Sequence, residues 1–441
     1  MNMTRRRFLK GLILSAGSLA AAGCGTATIK SAADKLSALG TLDNSIEFPR
    51  QIVSADNSTG RTIMWQTKPG AFTGDVSVLL RDVHSRQEQR FPARAERFTD
   101  DGETHDIYTS VISGLKPGSQ YEYAIFHNSD GSRLRPLITD DGRSFECLIF
   151  PDSQSSDYSD WERLAQDAAK RHPQANLFIN MGDLVDNGEQ CSHWKAWFSS
   201  LNGIIDSRPF APVMGNHEMY DINWKVRHPR AYLANFSVPG NDSRIKYGSD
   251  NDREDFDRWY YSFDYGDAHF VVLNTQQQEL ISLTDDEAVG ENLYRRQEEW
   301  LKADLSATGK RWKIIMMHRD VLRYGIHKRP ERQPGIDELG KRLMPLFENY
   351  GVHLVLTAHL HTYRNRGRIY DFAHDDKGPL YVLTGVAGNV RYPGLWIDHQ
   401  LDKVIAPQPE TDNYLTMKVS KDSLTLQCFL PDGTVIDKIM L

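Results

Sequence analysis

Cysteine is scarce in this chain: Cys24, Cys147, Cys191 and Cys428 are the four in 441 residues, and they stand far apart. None has the paired spacing of a thiolate metal site, and none looks like a catalytic thiol. Cys147 lies in an apolar run and reads as a small core residue. A disulfide between two of the last three stays open in an oxidising compartment, but spacing cannot assign it. Positive charge is also in short supply, with 52 Lys and Arg against 59 Asp and Glu and a formal net charge of −7. Four of those positives (Arg5, Arg6, Arg7, Lys10) and no acid lie in residues 1–23, so without that segment the balance moves from −7 to −11. A surface of that sign repels a nucleic-acid backbone in general, although a local basic mouth can still take an anion. There is no internal repeat, and the only biased tract is an Ala-, Ser- and Thr-rich linker over residues 24–45. Length and an ordinary composition (40% apolar, 25% charged) leave a globular chain of more than one domain.

The N-terminus has a distinct character. Thr4-Arg-Arg-Arg-Phe-Leu-Lys10 precedes an apolar stretch over residues 11–23 that is short for a membrane span and right for a signal core. Residues 1–23 resemble a twin-arginine export signal, the route of proteins that fold before translocation. Cys24 after Ala21-Ala-Gly23 resembles a lipoprotein processing site, so lipid attachment there and plain cleavage at the same run both stand open. The expected location is periplasmic, extracellular or membrane-anchored.

Between residues 46 and 143 the pattern is all-β. Runs at 62–65, 76–80, 107–112 and 121–126 alternate with turn residues at short intervals, which predicts a β-sandwich. Leu115-Lys-Pro-Gly-Ser-Gln-Tyr121 places a tyrosine after a Leu-x-Pro turn, as in the tyrosine corner of sandwich domains, and Trp65 is the expected buried aromatic. From residue 144 to 441 strands alternate with helices. Helices are predicted at 160–170 (opening on Asp160 as a cap-like residue), 194–201, 287–305 and 337–349. A hairpin is predicted over 260–274 with its turn at Gly266-Asp267, and three strands over 414–440. The polar stretch 221–258 reads as a surface excursion near a site mouth.

Two phrases organise the region from residue 144 onward: Asn180-Met-Gly-Asp-Leu-Val-Asp186 and Gly215-Asn-His-Glu218. Each follows an apolar run directly, which is how a buried strand delivers polar groups to a sheet edge. Cys147-Leu-Ile-Phe-Pro-Asp152 with Gln154, Lys313-Ile-Ile-Met-Met-His318 and Leu356-Thr-Ala-His-Leu-His361 are three more arrivals. Isolated, each is weak. Together they put Asp152, Gln154, Asp183, Asn216, His318, His359 and His361 at five strand ends, a mixture of hard oxygens and imidazoles suited to two divalent cations.

This series resembles the metallophosphoesterase (calcineurin-like) superfamily, whose motifs run Asp-x-His, Gly-Asp-x-x-Asp, Gly-Asn-His-Glu, His and Gly-His-x-His; residues 145–361 match in order. The sandwich ahead of it and the stretch Pro379-Leu-Tyr-Val-Leu-Thr-Gly-Val-Ala-Gly388 are similar to the purple acid phosphatase branch, whose N-terminal module is fibronectin type III-like. The resemblance implies an α/β fold: an N-terminal β-sandwich followed by a four-layer αββα domain, two sheets face to face between helices. It implies one metal on Asp152, Gln154, Asp183 and His361, and another on Asp183, Asn216, His318 and His359. Asp183 is then the bridge, fixing the cations about 3.5–4 Å apart. Mn, Mg, Zn and Fe are all open as the metal. The implied activity is hydrolysis of a phosphate monoester or diester by a metal-bridged hydroxide, with His217 protonating the leaving oxygen or stabilising the charge there, and Asp186 orienting His217 or other groups behind the ligands.

Three positions depart from the family pattern. Gln154 stands where His is usual, which weakens that site and favours Mn or Mg. Asp186 stands where purple acid phosphatases carry the tyrosine that binds ferric iron, so the protein is not expected to be purple. Ala358 replaces a glycine before the His pair. An alternative remains: a cell-surface binding module on the same fold, its catalysis weakened by Gln154. For substrate contacts, Arg319, the basic run His327-Lys-Arg-Pro-Glu-Arg332, and Arg391 with Tyr392 are the candidates, since arginine suits bidentate oxygen recognition. Tyr363 and Trp396 read as packing aromatics, with stacking on a base or ring of a substrate as the alternative.

Overall fold

The computed structural model describes residues 39–241, 244–246 and 253–441; the signal-like segment and Cys24 lie outside the described residues. Two large sheets carry the architecture. The first has ten strands, in the spatial order 435–440, 424–429, 414–419, 145–150, 177–180, 209–212, 47–52, 61–67, 103–112, 94–100. The second is an eight-stranded sheet centred on the parallel strands Ala268–Leu273, Trp312–Met317, Leu354–Thr357 and Leu380–Thr384. Strands buried on both faces need continuous apolar runs, and Phe145–Phe150, Leu177–Asn180 and Trp312–Met317 supply them. The sheets meet through Phe145, whose ring lies 5.0 Å from Tyr265 and 6.0 Å from Phe270, and through the Tyr261 hydroxyl, which donates to the Pro212 carbonyl at 2.7 Å. Helices Ser159–Arg171 and Cys191–Ser200 cover the first sheet, Trp161 meeting Phe150 edge-on at 5.1 Å. Helices Glu287–Ala307 and Glu338–Asn349 lie along the second. No described helix is long and apolar enough to cross a membrane.

The N-terminal strands form a sandwich, one face from the ten-stranded sheet and the other from Glu88–Pro92, Val76–Asp82 and Gln120–His127 with short partners. Trp65 is fully buried and stacks on Tyr108 at 5.2 Å, and the Tyr121 hydroxyl accepts the Lys116 N–H at 3.1 Å, closing the tyrosine corner. The sandwich does not hang from a linker. Its strand Glu47–Ile52 pairs in parallel with Pro209–Pro212, so hydrogen bonding runs unbroken from one half of the molecule into the other. Asp206 reinforces that seam, its carbonyl accepting from Tyr123 at 2.8 Å and its carboxylate lying 3.4 Å from Arg135.

Most predicted elements are present, with two differences, and the open question of a disulfide is answered. Helix Ser159–Arg171 is capped by neither Asp160 nor its N-cap Tyr158; Asp160 lies inside the first turn beside Arg163, while Asp157 accepts the Ser159 N–H at 2.9 Å. The polar stretch after residue 221 is not all surface: it contains helix Arg230–Asn235, with Ala231, Tyr232, Leu233 and the following Phe236 buried under the sandwich seam. Cys147, Cys191 and Cys428 are buried and free, so no disulfide joins them.

His269 pins helix Glu287–Ala307 to its sheet. It is buried, with Nδ1 2.7 Å from Asp264 on the neighbouring strand and Nε2 2.8 Å from Asp304 on the helix. Burial pulls its pKa down, but the two carboxylates win and carry it to about 9. A histidine raised above its ordinary 6.5 contributes stability in full below that value and loses it as pH rises through 9. His269→Gln should therefore cost on the order of 2–3 kcal/mol near pH 6 and little near pH 10. Denaturant unfolding of both proteins at the two pH values tests this; an equal loss at both would refute it.

Candidate metal centre

All five predicted strand ends reach one place. Parallel strands put their C-terminal ends on the same edge, and in both sheets that edge faces the same cleft. Asp152 follows Phe145–Phe150, Asp183 follows Leu177–Asn180, and Asn216 with His217 follows Pro209–Pro212. The second sheet delivers His318 from Trp312–Met317 and His359 with His361 from Leu354–Thr357. Two groups of ligand atoms within 4.8 Å of one another result: Asp183, His318 and His359, and Asp152, Asp183 and His361. Asp183 is common to both.

The backbone here is bent to bring these groups close. Asp183, His359 and His361 take left-handed φ values of 47°, 75° and 52°, the kind of cost that persists only where the surroundings impose it. Ala358, by contrast, is not among the positive-φ residues. Gly182 has φ 100°, and a Cβ there would lie 2.5 Å from His318 Nδ1; one on Gly215 would lie 2.1 Å from Asp183 Oδ1. Only glycine lets the two motif loops approach the ligands this tightly.

Main-chain carbonyls set the imidazoles. His318 Nδ1 is 3.0 Å from Met181 O and His361 Nδ1 is 2.9 Å from Val390 O, so both rings donate from Nδ1 and turn Nε2 inward. His318 Nε2 then lies 3.0 Å from Asp183 Oδ2 and 3.3 Å from Asn216 Oδ1, and His361 Nε2 lies 3.4 Å from Asp152. Burial opposes ionisation of Asp183, but His318 and His217 hold its carboxyl well below the usual range. Burial and the neighbouring His318 keep His359 neutral, its ring able to act as a ligand.

Gln154 tests whether these residues suit a cation. Its side chain is buried, and its Oε1 has no hydrogen-bond partner among the described residues. An amide oxygen buried without a donor is costly in an ordinary core and is what a hard cation requires. The donor set of two carboxylates, three imidazoles and two amide oxygens fits a pair of divalent ions.

His217 stands beside this group. Its Nδ1 is 2.7 Å from the Asp186 carbonyl, and its N–H donates to Asp183 Oδ1 at 2.9 Å. Orientation thus comes from the main chain of Asp186; the Asp186 carboxylate is 3.9 Å away. Tyr220 and the half-exposed Trp224 meet the His217 ring edge-on at 5.8 and 5.7 Å, a rim that no periodicity in the polar stretch announced. Glu218 ends the Gly215-Asn-His-Glu218 phrase. It is buried and accepts N–H groups from Asp183, Leu184, Val185 and Gly215, clamping two ligand loops together.

Two of the expected substrate contacts, Arg319 and Arg391, are already engaged within the chain. Arg319 lines a cleft with His359 but is paired with Glu279 at 2.6 Å. Arg391 holds the Gly388 and Val390 carbonyls and pairs with Asp412, so it braces the turn that orients His361. The Tyr392 ring lies 4.9 Å from that of His361, tilted against it by 43°. Tyr363 is buried, its hydroxyl donating to Asp437 at 2.8 Å, whereas Trp396 faces the cleft.

Residues 145–363 match the family described as calcineurin-like phosphoesterase. This chain carries a calcineurin-like metallophosphoesterase domain. Purple acid phosphatase 15 of Arabidopsis thaliana is 26% identical over 222 residues, covering 49% of this chain and 36% of that protein. Human acid phosphatase type 7 is 26% identical over 310 residues, 64% of each. The chain therefore spans less than two thirds of these curated relatives. Among solved structures, the purple acid phosphatase PPD1 of yellow lupin seeds superposes with a TM-score of 0.68 at 17% identity, over 90% of this chain and 74% of that one. PhoD gives 0.59 at 12% identity, over 89% and 92%. Both likenesses are of fold, and they extend beyond the metallophosphoesterase domain into the β-rich N-terminal region.

Proposed function

We propose that this protein is an exported phosphoesterase that hydrolyses phosphate esters at a centre of two divalent cations. The observation that carries this is the shared position of Asp183 between two ligand groups, with Gln154 bound through its N–H to the Asp183 carbonyl and its buried Oε1 without a partner among the described residues. Asp152, Gln154, Asp183 and His361 would hold one cation; Asp183, Asn216, His318 and His359 would hold the other. When bound, the pair supplies an activated water and neutralises charge on the phosphoryl oxygens. His217, fixed through Nδ1, presents its other ring nitrogen to the cleft and delivers the proton to the leaving oxygen. Main-chain carbonyls from Met181 and Val390 keep the ligand rings from rotating away between turnovers. The basic and then apolar run of residues 1–23 supports export.

The test is turnover of p-nitrophenyl phosphate and its bis-ester by Mn-loaded protein before and after chelation. Activity on at least one ester should vanish with the metal and return on reloading, and the preferred ester decides between monoesterase and diesterase. His217→Ala should lower kcat by about 10²–10⁴. An unaltered kcat in that variant removes His217 from the proton transfer. Metal binding with no activity on either ester favours the weakened binding module.

A further inference from the structure

A cleft of about 400 Å³ opens beside His359, with Arg319, Arg323, Arg332 and Trp396 among its walls. Its charges are not equivalent. Arg319 is neutralised by Glu279, and the carboxylates facing the cleft are committed elsewhere. Asp320 binds the buried Arg366, whose Nη1 is 2.9 Å away, and Asp337 caps helix Glu338–Asn349 by accepting the Leu339 N–H at 3.1 Å. Arg323 and Arg332 differ from all of these. Each spends only its Nε on a main-chain carbonyl, Gln333 at 3.1 Å and Tyr324 at 3.0 Å. Among the described residues nothing engages their Nη groups by hydrogen bond or ion pair.

The loop that bears them is held in place. Leu322–Arg323 pairs with Gly335–Ile336, and Gly325–Ile326 pairs with Trp396–Ile397. The guanidinium of Arg332 lies 5.9 Å over the Trp396 ring. That indole in turn donates to the carbonyl of Leu360, between the two cleft histidines, at 2.8 Å. Two anchored guanidinium groups with free amino ends are a receptor for a phosphoryl group, since each offers parallel N–H donors to its oxygens.

We propose that this cleft is a subsite for a second phosphoryl group, so that the preferred substrates are organic phosphates bearing another phosphate away from the scissile one. The proposal rests on the phosphoesterase reading above. Arg323 and Arg332 are its specificity-determining residues: they bind the distal dianion while the reacting phosphate sits by His359. A neutral leaving group gains nothing from them.

The experiment compares butane-1,4-diol bisphosphate with butyl phosphate, which share an alkoxide leaving group and differ in the distal charge. The parent protein should show kcat/KM about ten- to a hundred-fold higher for the bisphosphate, mainly through KM. In R323A and in R332A that ratio should fall toward one; both side chains are exposed, so folding is not at stake. A ratio near one in the parent, or one unchanged in both variants, overturns the subsite. Calorimetric binding of butane-1,4-bisphosphonate against butylphosphonate supplies a readout that needs no turnover. Preferential binding of the bisphosphonate, lost in R323A, in a metal-loaded protein that cleaves neither these monoesters nor bis-p-nitrophenyl phosphate would keep the subsite and refute the phosphoesterase reading.

Discussion

The Asp183→Asn protein is expected to hydrolyse p-nitrophenyl phosphate at least about a thousandfold more slowly than the parent and to retain fewer than two cations per chain. Asp183 is the one residue shared by both ligand groups, so its charge enters the affinity for each cation. Asparagine keeps the shape and removes the charge. The loop that carries position 183 is held through its main-chain N–H groups, which donate to Glu218 and do not depend on the carboxylate. The variant should therefore fold, and the loss should report chemistry. One neighbour changes with it: His318 Nε2 loses the carboxylate 3.0 Å away. Metal content measured beside the rate on the same preparation decides the matter. Two tightly held cations with near-parental turnover would remove Asp183 from the bridging role.

The continuity of the ten-stranded sheet bears on how such a centre is kept rigid. Strand Pro209–Pro212, which delivers Asn216 and His217, is flanked by Leu177–Asn180 on one side and by Glu47–Ile52 of the sandwich on the other. Residues Gln51 and Ile52 pair with Pro209 and Phe210, so the sandwich covers what would otherwise be an open strand edge within one strand of the ligands. A support role follows for the N-terminal sandwich that is independent of any contact with substrate.

Much of the centre was legible because strand ends are. An apolar run broken by Gly-Asp or Gly-Asn-His reports a buried parallel strand and its polar terminus together, and parallel strands bring such termini to one edge. The elements that escaped have equally physical reasons. Strand Arg94–Asp100 lies at the sheet edge and is mostly exposed on both faces, so no alternation marks it. Helix Arg230–Asn235 is too short to establish a period and sits among charged residues. Arg319 looked like a free cation because its partner Glu279 is forty residues upstream. Asp186 stands out in the sequence by its carboxylate, whereas its main-chain carbonyl is the group that holds His217. Trp396 read as packing until the fold placed it in the cleft wall beside His359.

Glu218 gives the second large effect, and it is one of architecture. Its Oε2 accepts the N–H groups of Gly215 at 2.7 Å and Asp183 at 3.1 Å, and its Oε1 accepts those of Leu184 at 2.8 Å and Val185 at 3.4 Å. Burial and the adjacent Asp183 raise the pKa of this carboxyl, while the main-chain donors oppose the rise because they are satisfied by acceptors alone. Glutamine at 218 supplies one oxygen and turns an amide N–H₂ toward two N–H groups. Two buried donors then face a donor, and the expected cost is about 2–5 kcal/mol, with cation affinity lowered about 10- to 100-fold as the 183 and 216 loops separate. Unfolding in the presence of chelator isolates the first effect, since metal loss cannot then contribute. An E218Q midpoint equal to that of the parent in chelator would show that the two loops stand without the clamp. A lowered midpoint there, against a nearly unchanged one for Asp183→Asn, would separate the residue that builds the site from the residue that charges it.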